Sequence, residues 1–148
     1  MTKHISAATL NELPAKVNVP SYAREQLSAG ILHIGVGNFH RAHQAVYLDE
    51  LFNKGEGHDW AIVGTGVREA DEVMRQKLLA QDLYTTVVEQ EAGHSTARVT
   101  GAMIDYIQPG DATLLIARLS DPAIRIVSLT ITEGGYYIDS ATGQFDAN

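Results

Sequence analysis

The sequence contains no cysteine in its 148 residues. Disulfide bonds, thiolate metal sites and cysteine nucleophiles are therefore excluded, and nothing indicates an oxidising compartment, so we expect a cytoplasmic location. Basic residues are also few, because 11 Lys and Arg stand against 18 Asp and Glu, which gives a formal net charge of −7. Nucleic-acid backbones bind clustered positive charge, so this composition argues against a nucleic-acid partner.

Long apolar runs are missing as well. No stretch approaches the roughly 20 apolar residues of a membrane-spanning helix, and the N-terminus lacks the basic and apolar regions of a signal peptide. We therefore expect no membrane partner and no secretion by that route. The length and the 45% hydrophobic content are those of one globular domain.

Hydrolytic and metal-binding patterns are not evident either. No Ser-His-Asp or paired-carboxylate arrangement can be recognised, so hydrolysis has no support. His40 and His43 lie one helical turn apart, but the sequence offers neither the Glu of an H-E-x-x-H motif nor a nearby third ligand. We expect no metal site.

The sequence does contain an apolar run, residues 31–36, followed by closely spaced glycines and a helix-compatible segment. A glycine turn lets backbone N–H groups approach an anion, and a helix N-terminus adds a partial positive charge. A dinucleotide pyrophosphate fits such a turn, although His40 replaces the third glycine of G-x-G-x-x-G, and a turn without a ligand is the alternative. The candidate cofactor-binding residues here are Gly35, Val36, Gly37, Asn38, Phe39, His40 and Arg41.

The remaining pattern predicts an α/β fold of Rossmann type, with a mostly parallel sheet and helices on both faces. Strands are predicted at 31–36, 60–64, 103–107 and 124–131, and helices at 41–52, 69–80 and 112–119. The β-rich runs 83–89 and 95–99, with a turn at 91–94, predict an inserted antiparallel hairpin. Residues 1–30 are predicted to be an N-terminal arm with a short helix at 22–28, and residues 31–148 a dinucleotide-binding domain.

Further candidate residues follow two other strands, at the sheet edge where ligands of open α/β sheets bind. After strand 60–64, an acidic side chain would accept hydrogen bonds from a ribose 2′-OH and repel a 2′-phosphate. Glu69 is the first candidate and Asp71 the second, which predicts NAD, whereas Arg68 would favour NADP. Thr130 and Thr132, with a glycine-bearing turn at 132–135, complete the candidate set.

The segment Gly35-x-Gly37-Asn38-Phe39-His40-Arg41-Ala42-His43 resembles the N-terminal signature of the polyol-specific long-chain dehydrogenases, the mannitol 2-dehydrogenase and fructuronate reductase family. The resemblance continues through residues 84–89 and 121–136. It implies a two-domain oxidoreductase whose later, mostly helical domain carries a catalytic lysine in a Lys-x-x-x-x-Asn-x-x-His arrangement. No such arrangement occurs here, so the resemblance covers the N-terminal part only and places the catalytic residues outside this chain.

The implied function is the cofactor-binding portion of an NAD-dependent dehydrogenase that transfers hydride between nicotinamide and a polyol or sugar acid. The alternative is a non-catalytic module that binds a nucleotide or S-adenosylmethionine, since such modules also place a glycine turn after the first strand. We expect this chain alone not to turn over polyols, because hydride transfer also needs an oriented base and an alcohol pocket. Apolar surface left uncovered by half a domain also predicts self-association.

Overall fold

Strands and helices alternate along the chain in the computed structural model, which describes residues 4–132, 135–139 and 141–145. The strands are β1 Val17–Asn18, β2 Ala29–Ile34, β3 Ala61–Thr65, β4 Thr85–Glu91, β5 His94–Thr100, β6 Met103–Tyr106 and β7 Ile126–Leu129. The helices are α1 Asn38–Ala42, α2 Gln44–Asn53, α3 Asp71–Leu79 and α4 Ala112–Leu119, with 3-10 turns at Leu10–Glu12 and Arg24–Gln26. The predicted α/β class is confirmed.

The main sheet has four parallel strands in the order β6-β3-β2-β7. β2 is central, and its His33 lies in register with Gly64 of β3 and Ser128 of β7. β2 and β3 are almost wholly buried. Strands that are covered on both faces are expected to carry continuous apolar runs, which explains the composition of these two. Because all four strands are parallel, their carboxyl ends meet at one edge of the sheet.

Helices cover both faces of this sheet, as predicted. Ile31 and Ile62 belong to a core cluster that includes Phe52 of α2 and Leu78 of α3. Their neighbours Leu32 and Val63 point the opposite way, because side chains alternate along a strand, and form a second cluster with Leu115 of α4. None of the helices in the described ranges is long and apolar enough to cross a membrane.

The predicted antiparallel hairpin is present, but it belongs to a separate sheet. β4 pairs with β5 from Thr85 opposite Thr100 to Glu91 opposite His94, so the strands extend further toward the turn than predicted. The other edge of β5 pairs with β1 in parallel, which gives a three-stranded sheet β1-β5-β4. The hairpin therefore holds the N-terminal segment to the body of the protein.

Three predicted helices differ from the structure. The helix predicted at 69–80 differs only at its ends, since α3 is Asp71–Leu79. The helix predicted at 41–52 begins earlier, at Asn38, and is divided at His43, whose φ of −125° and ψ of −80° are not helical. The helix predicted at 22–28 is only the 3-10 turn Arg24–Gln26, because the chain becomes extended at Leu27 to enter β2. Residues 133 and 134 of the predicted 132–135 turn lie outside the described residues.

Arg24 is the side chain that ties the N-terminal segment to both sheets. Its guanidinium donates hydrogen bonds to the backbone carbonyls of Asp82 at 2.6 Å, Gly101 at 3.1 Å and Met103 at 2.5 Å. It also lies over the Tyr84 ring, 4.4 Å from the centroid. Three loop and strand carbonyls thus depend on one cation for their donors.

We expect Arg24→Ala to lower the free energy of unfolding by about 3 kcal/mol, because it leaves these carbonyls without their charged donor. Urea unfolding followed by circular dichroism measures the change. Lys16→Ala is the matched control, since it removes an exposed cation from the same segment. Equal stabilities for the two variants would contradict the role assigned to Arg24.

Candidate functional site

A cleft of about 890 Å³ opens at the carboxyl edge of the parallel sheet. It lies where β2, β3 and β7 end, which is where ligands of open α/β sheets bind, and its size is that of a ligand pocket. Seven candidate residues line it: Gly35, Val36, Gly37, Arg68, Asp71, Thr130 and Thr132. The other five, Asn38, Phe39, His40, Arg41 and Glu69, are not among the residues that line this cleft.

The two glycines of the turn have different roles. Gly35 has a φ of +96°, and a Cβ there would lie 3.2 Å from the Thr130 carbonyl oxygen, so both conformation and space require glycine. Gly37 has an ordinary φ of −95°, and a Cβ there would meet only the Gly35 oxygen, at 4.0 Å. Glycine at position 37 therefore leaves open space on the cleft wall rather than relieving a clash within the protein.

Arg41 contacts the turn itself rather than the cleft. Its guanidinium donates to Asn38 Oδ1 at 2.5 Å and to the Gly37 carbonyl at 3.3 Å. Burial lowers the pKa of this half-buried guanidinium. Asn38 and Phe39 are exposed on α1, and Phe39 stacks on the His43 ring with centroids 4.5 Å apart. That Arg41 neutralises a phosphate stays a prediction.

Behind the turn lies a pair of stacked, buried imidazoles. The rings of His33 and His40 have centroids 3.6 Å apart and are 12° from parallel, and the two residues are 3% and 2% exposed. His33 Nδ1 lies 2.9 Å from Ser128 Oγ, and its Nε2 lies 3.1 Å from both the Gly35 carbonyl and Thr130 Oγ1. His33 therefore connects the two walls of the cleft that β2 and β7 provide.

Burial lowers the pKa of both imidazoles. Desolvation is the largest cause for each, and in His40 the neighbouring His33 and Arg41 add to it, which brings the pKa to about 3. His40 Nδ1 hydrogen-bonds Gln44 Oε1 at 3.0 Å, and its buried Nε2 has no hydrogen-bond partner. Both rings are consequently neutral at neutral pH.

The loop after β3 is organised by Asp71, the second acidic candidate. Its Oδ2 accepts hydrogen bonds from the backbone N–H groups of Val67 at 3.1 Å and Arg68 at 3.0 Å, and its Oδ1 lies 3.3 Å from the Arg68 guanidinium. Asp71 and Arg68 line the cleft, whereas Glu69 is exposed outside it. The carboxylate nearest a ligand in this cleft is thus that of Asp71.

Sequence reasoning did not find the apolar and aromatic lining. Tyr106 is buried at the end of β6 and lines the cleft, where burial raises its pKa to about 12 and the carboxylates of Asp71 and Glu72 contribute. Its position at the end of a predicted parallel strand was the available signal. Val67, Val73 and Met74 line the cleft from the loop and helix that follow β3.

Metal binding finds no support in the described ranges, which hold no group of three or more residues able to ligate an ion. His40 is buried against His33, whereas His43 is exposed and its Nδ1 lies 3.0 Å from the Phe39 carbonyl. The two imidazoles that lie one turn apart in sequence therefore have separate surroundings.

Comparison with known proteins identifies the family. Residues 29–147 match the family model of the mannitol dehydrogenase Rossmann domain. The chain belongs to the mannitol dehydrogenase family. The predicted resemblance to polyol-specific long-chain dehydrogenases, restricted to their N-terminal part, is thereby confirmed.

Members of this family with similar sequences are much longer than this chain. It is 60% identical over 131 residues to a mannitol 2-dehydrogenase of Cereibacter sphaeroides, covering 88% of this chain and 27% of the relative. It is 46% identical to a polyol:NADP oxidoreductase of Gluconobacter oxydans, covering 96% and 30%. The structure of Pseudomonas fluorescens mannitol 2-dehydrogenase in a ternary complex with NAD and D-mannitol superposes with a TM-score of 0.87 at 46% identity, covering 98% and 30%. The chain thus spans about 30% of the length of these relatives.

The buried imidazoles predict an acid-dependent stability. The unfolded chain protonates His40 near its ordinary pKa of about 6.5, whereas the folded chain does so only near 3, so the free energy of unfolding decreases as pH falls through that interval. His40→Phe keeps a ring but cannot titrate. Between about pH 7 and pH 5 we therefore expect its free energy of unfolding to fall by about 1 to 2 kcal/mol less than that of the unmodified chain. Urea unfolding at each pH measures this.

His43→Phe serves as the control, because that imidazole is exposed. Parallel losses of stability in the unmodified chain and His40→Phe would show that the buried ring does not resist protonation.

Proposed function

We propose that this chain binds NAD as the cofactor-binding portion of a dehydrogenase that oxidises a polyol such as D-mannitol, or a related sugar acid, at a secondary alcohol. The proposal is supported by family membership and by the ternary complex of the P. fluorescens relative. It includes the prediction that this chain alone does not turn over polyols. A cytoplasmic location also stays a prediction.

The observation that carries the proposal is the open space at Gly37 on the wall of the cleft. The protein itself does not fill the volume of a Cβ there, although the turn is otherwise tightly hydrogen-bonded, with Gly37 N donating to the Gly35 carbonyl at 2.8 Å and Gly35 N to the Thr65 carbonyl at 2.9 Å. Such a gap beside a glycine turn fits the close approach of a pyrophosphate to the backbone.

We propose the following roles for the candidate residues. The backbone of Gly35, Val36 and Gly37 forms the pyrophosphate wall, and the first-turn N–H groups of Asn38, Phe39 and His40 have no carbonyl partner within α1. Arg41 fixes the turn through its contacts with Asn38 and Gly37. Thr130 and Thr132 line the side near β7, and Arg68 lines the ribose side. Glu69 follows Arg68 in the same loop but is exposed outside the cleft. NAD, when bound, supplies the hydride acceptor.

Isothermal titration of the chain with NADH tests this proposal. It is preferable to tryptophan fluorescence, because Trp60 directly precedes β3 and so lies at the amino end of the sheet, away from the cleft. We expect Gly37→Ala to weaken NADH binding by about tenfold or more with little change in stability, since the methyl group enters space that only a ligand would occupy.

S-adenosylmethionine is titrated in parallel as the alternative ligand. Absence of NADH binding to the unmodified chain, or preferential binding of S-adenosylmethionine, would contradict the proposal and favour the non-catalytic module.

Cofactor choice rests on the charge next to Arg68. Asp71 holds a negative charge at the cleft and pairs with the Arg68 guanidinium, so a 2′-phosphate would meet a carboxylate and a cation that already has a partner. This supports NAD, with Asp71 rather than the exposed Glu69 as the discriminating carboxylate. The P. fluorescens enzyme in complex with NAD and the G. oxydans polyol:NADP oxidoreductase are both 46% identical to this chain, so overall identity does not distinguish the two cofactors and the local charge carries the argument.

We expect Asp71→Asn to reduce the preference for NADH over NADPH by about tenfold, because the amide oxygen still accepts the loop N–H groups while the negative charge is gone. Dissociation constants for both cofactors measure the ratio. Glu69→Gln is the matched control, since it removes the same charge two residues away outside the cleft. A change of this ratio in Glu69→Gln alone would show that Glu69 is the discriminating residue. Tighter binding of NADPH than of NADH by the unmodified chain would contradict the proposed preference for NAD.

We also propose that residues 1–30, of which Ala29 and Gly30 already belong to β2, form an arm on the domain of residues 31–148 and that the chain self-associates. Contacts such as Tyr22 Oη to Asp49 Oδ1, at 2.5 Å, support the arm. Two features support the association. Among the described residues β7 pairs on one side only, so its other edge is open, and apolar side chains on β7 and α4 are exposed. These side chains are Leu114, Ile116 and Leu119 on α4 and Ile126, Val127 and Leu129 on β7.

Light scattering coupled to size exclusion is expected to give a mass above the 16.0 kDa of one chain, rising with concentration. Ile116→Lys, on the exposed face of α4, is expected to reduce that mass, whereas Val88→Lys, an equally polar change on exposed β4, is not. A constant mass of one chain at every concentration would rule out self-association.

A further inference from the structure

The His33–His40 pair is a buried group for which cofactor binding as described above has no use. His33 lies in the centre of β2, between β3 and β7, where a buried parallel strand ordinarily carries an apolar residue, and His40 covers it from α1. Neither imidazole is in the set that lines the cleft. Yet the hydrogen-bond partners of His33 include Gly35 and Thr130, which form two of its walls.

The partners of each nitrogen fix where the protons of the pair lie. The Gly35 carbonyl can only accept, so His33 Nε2 carries the proton and donates, and His33 Nδ1 accepts from the Ser128 hydroxyl. His40 Nδ1 in turn donates to Gln44 Oε1, which leaves its Nε2 as a buried lone pair without a partner. The network is therefore complete for His33 only while that ring is neutral.

An added proton would find no anionic partner in the network. Protonated His33 Nδ1 could no longer accept from Ser128, and the positive charge would lie within 3.6 Å of the second imidazole. The charged or titratable groups that act on His40 are His33 and Arg41, and both disfavour a further positive charge. From α2 and β7 the pair faces the uncharged side chains of Gln44, Ser128 and Thr130.

We propose that the stacked His33–His40 pair is a positioning element that holds the Gly35 turn against Thr130, and that its neutral state sets the acid limit of cofactor binding. The inference rests on the proposed function. His33 acts through the Gly35 carbonyl and the Thr130 hydroxyl, and His40 acts by shielding that network from water. A ligand that needs both walls in place is then bound by the neutral pair and released as the pair takes up a proton.

Calorimetric titration with NAD⁺, which tolerates acid better than NADH, tests the positioning role at about pH 7.5. We expect His33→Leu, which lacks a donor, to weaken binding about tenfold, and His33→Gln, whose amide N–H can reach the Gly35 carbonyl, to restore it to within about threefold of the unmodified chain. Equal affinities for the Leu variant and the unmodified chain would overturn the proposal. No binding by the unmodified chain would instead refute the proposed function.

The pH dependence of NAD⁺ affinity tests the second part of the proposal, that the neutral pair sets the acid limit of binding. As the pH is lowered from about 7.5 through the range in which the chain stays folded, the affinity of the unmodified chain for NAD⁺ is expected to fall once the protonation midpoint of the pair is reached. Below that midpoint the slope approaches tenfold per pH unit. His33→Gln/His40→Phe, in which neither side chain titrates, is expected to give a flat profile, and His43→Phe the unmodified one. Identical profiles for the unmodified chain and the double variant would overturn the proposal.

A measurement on the unmodified chain does not depend on whether these variants fold. By linkage, a ligand that prefers the neutral pair must make the pair harder to protonate. We therefore expect saturating NAD⁺ to shift the imidazole titration of His33 and His40, followed by NMR of the ring resonances, to lower pH. An unchanged titration midpoint with NAD⁺ bound would contradict the inference.

Discussion

The parallel pairing of β2 with β7 is the constraint on which the cleft depends. It brings together His33 and Ser128, which are 95 residues apart in sequence, and places Thr130 beside the Gly35 turn. A slip of one residue in this register would turn Ser128 away from His33, because neighbouring side chains lie on opposite faces of a strand. The cleft geometry is thus a consequence of strand register more than of the glycine turn alone.

Features that depend on local sequence could be predicted well. The apolar runs in β2 and β3 identify buried parallel strands before any contact is known. Helix α4 has its predicted bounds because Asp111 ends the preceding loop, with its Oδ1 accepting from Leu114 N at 2.9 Å. The glycine turn and Thr130 follow from the same logic, since both lie at the carboxyl ends of predicted parallel strands.

Features that depend on tertiary contacts could not be read from the sequence. Glu69 and Asp71 are two residues apart. The point at which α3 begins determines which of the two carboxylates reaches the loop N–H groups and the cleft. Helix boundaries are uncertain by one or two residues in any sequence pattern, so the choice needed the structure. The parallel pairing of β1 with β5 likewise joins segments far apart in sequence and has no local signal.

A buried imidazole in the middle of an apolar strand is unfavourable unless its nitrogens have partners. Valine at position 33 would suit β2 by itself, but the Gly35 carbonyl and the Ser128 and Thr130 hydroxyls would then lose a partner behind the cleft. His33 satisfies all three groups at once, because its two nitrogens point toward β7 and toward the turn. The same arrangement leaves no room for an additional proton. The group that completes the hydrogen bonding of the cleft wall is therefore also the one that makes the wall sensitive to acid.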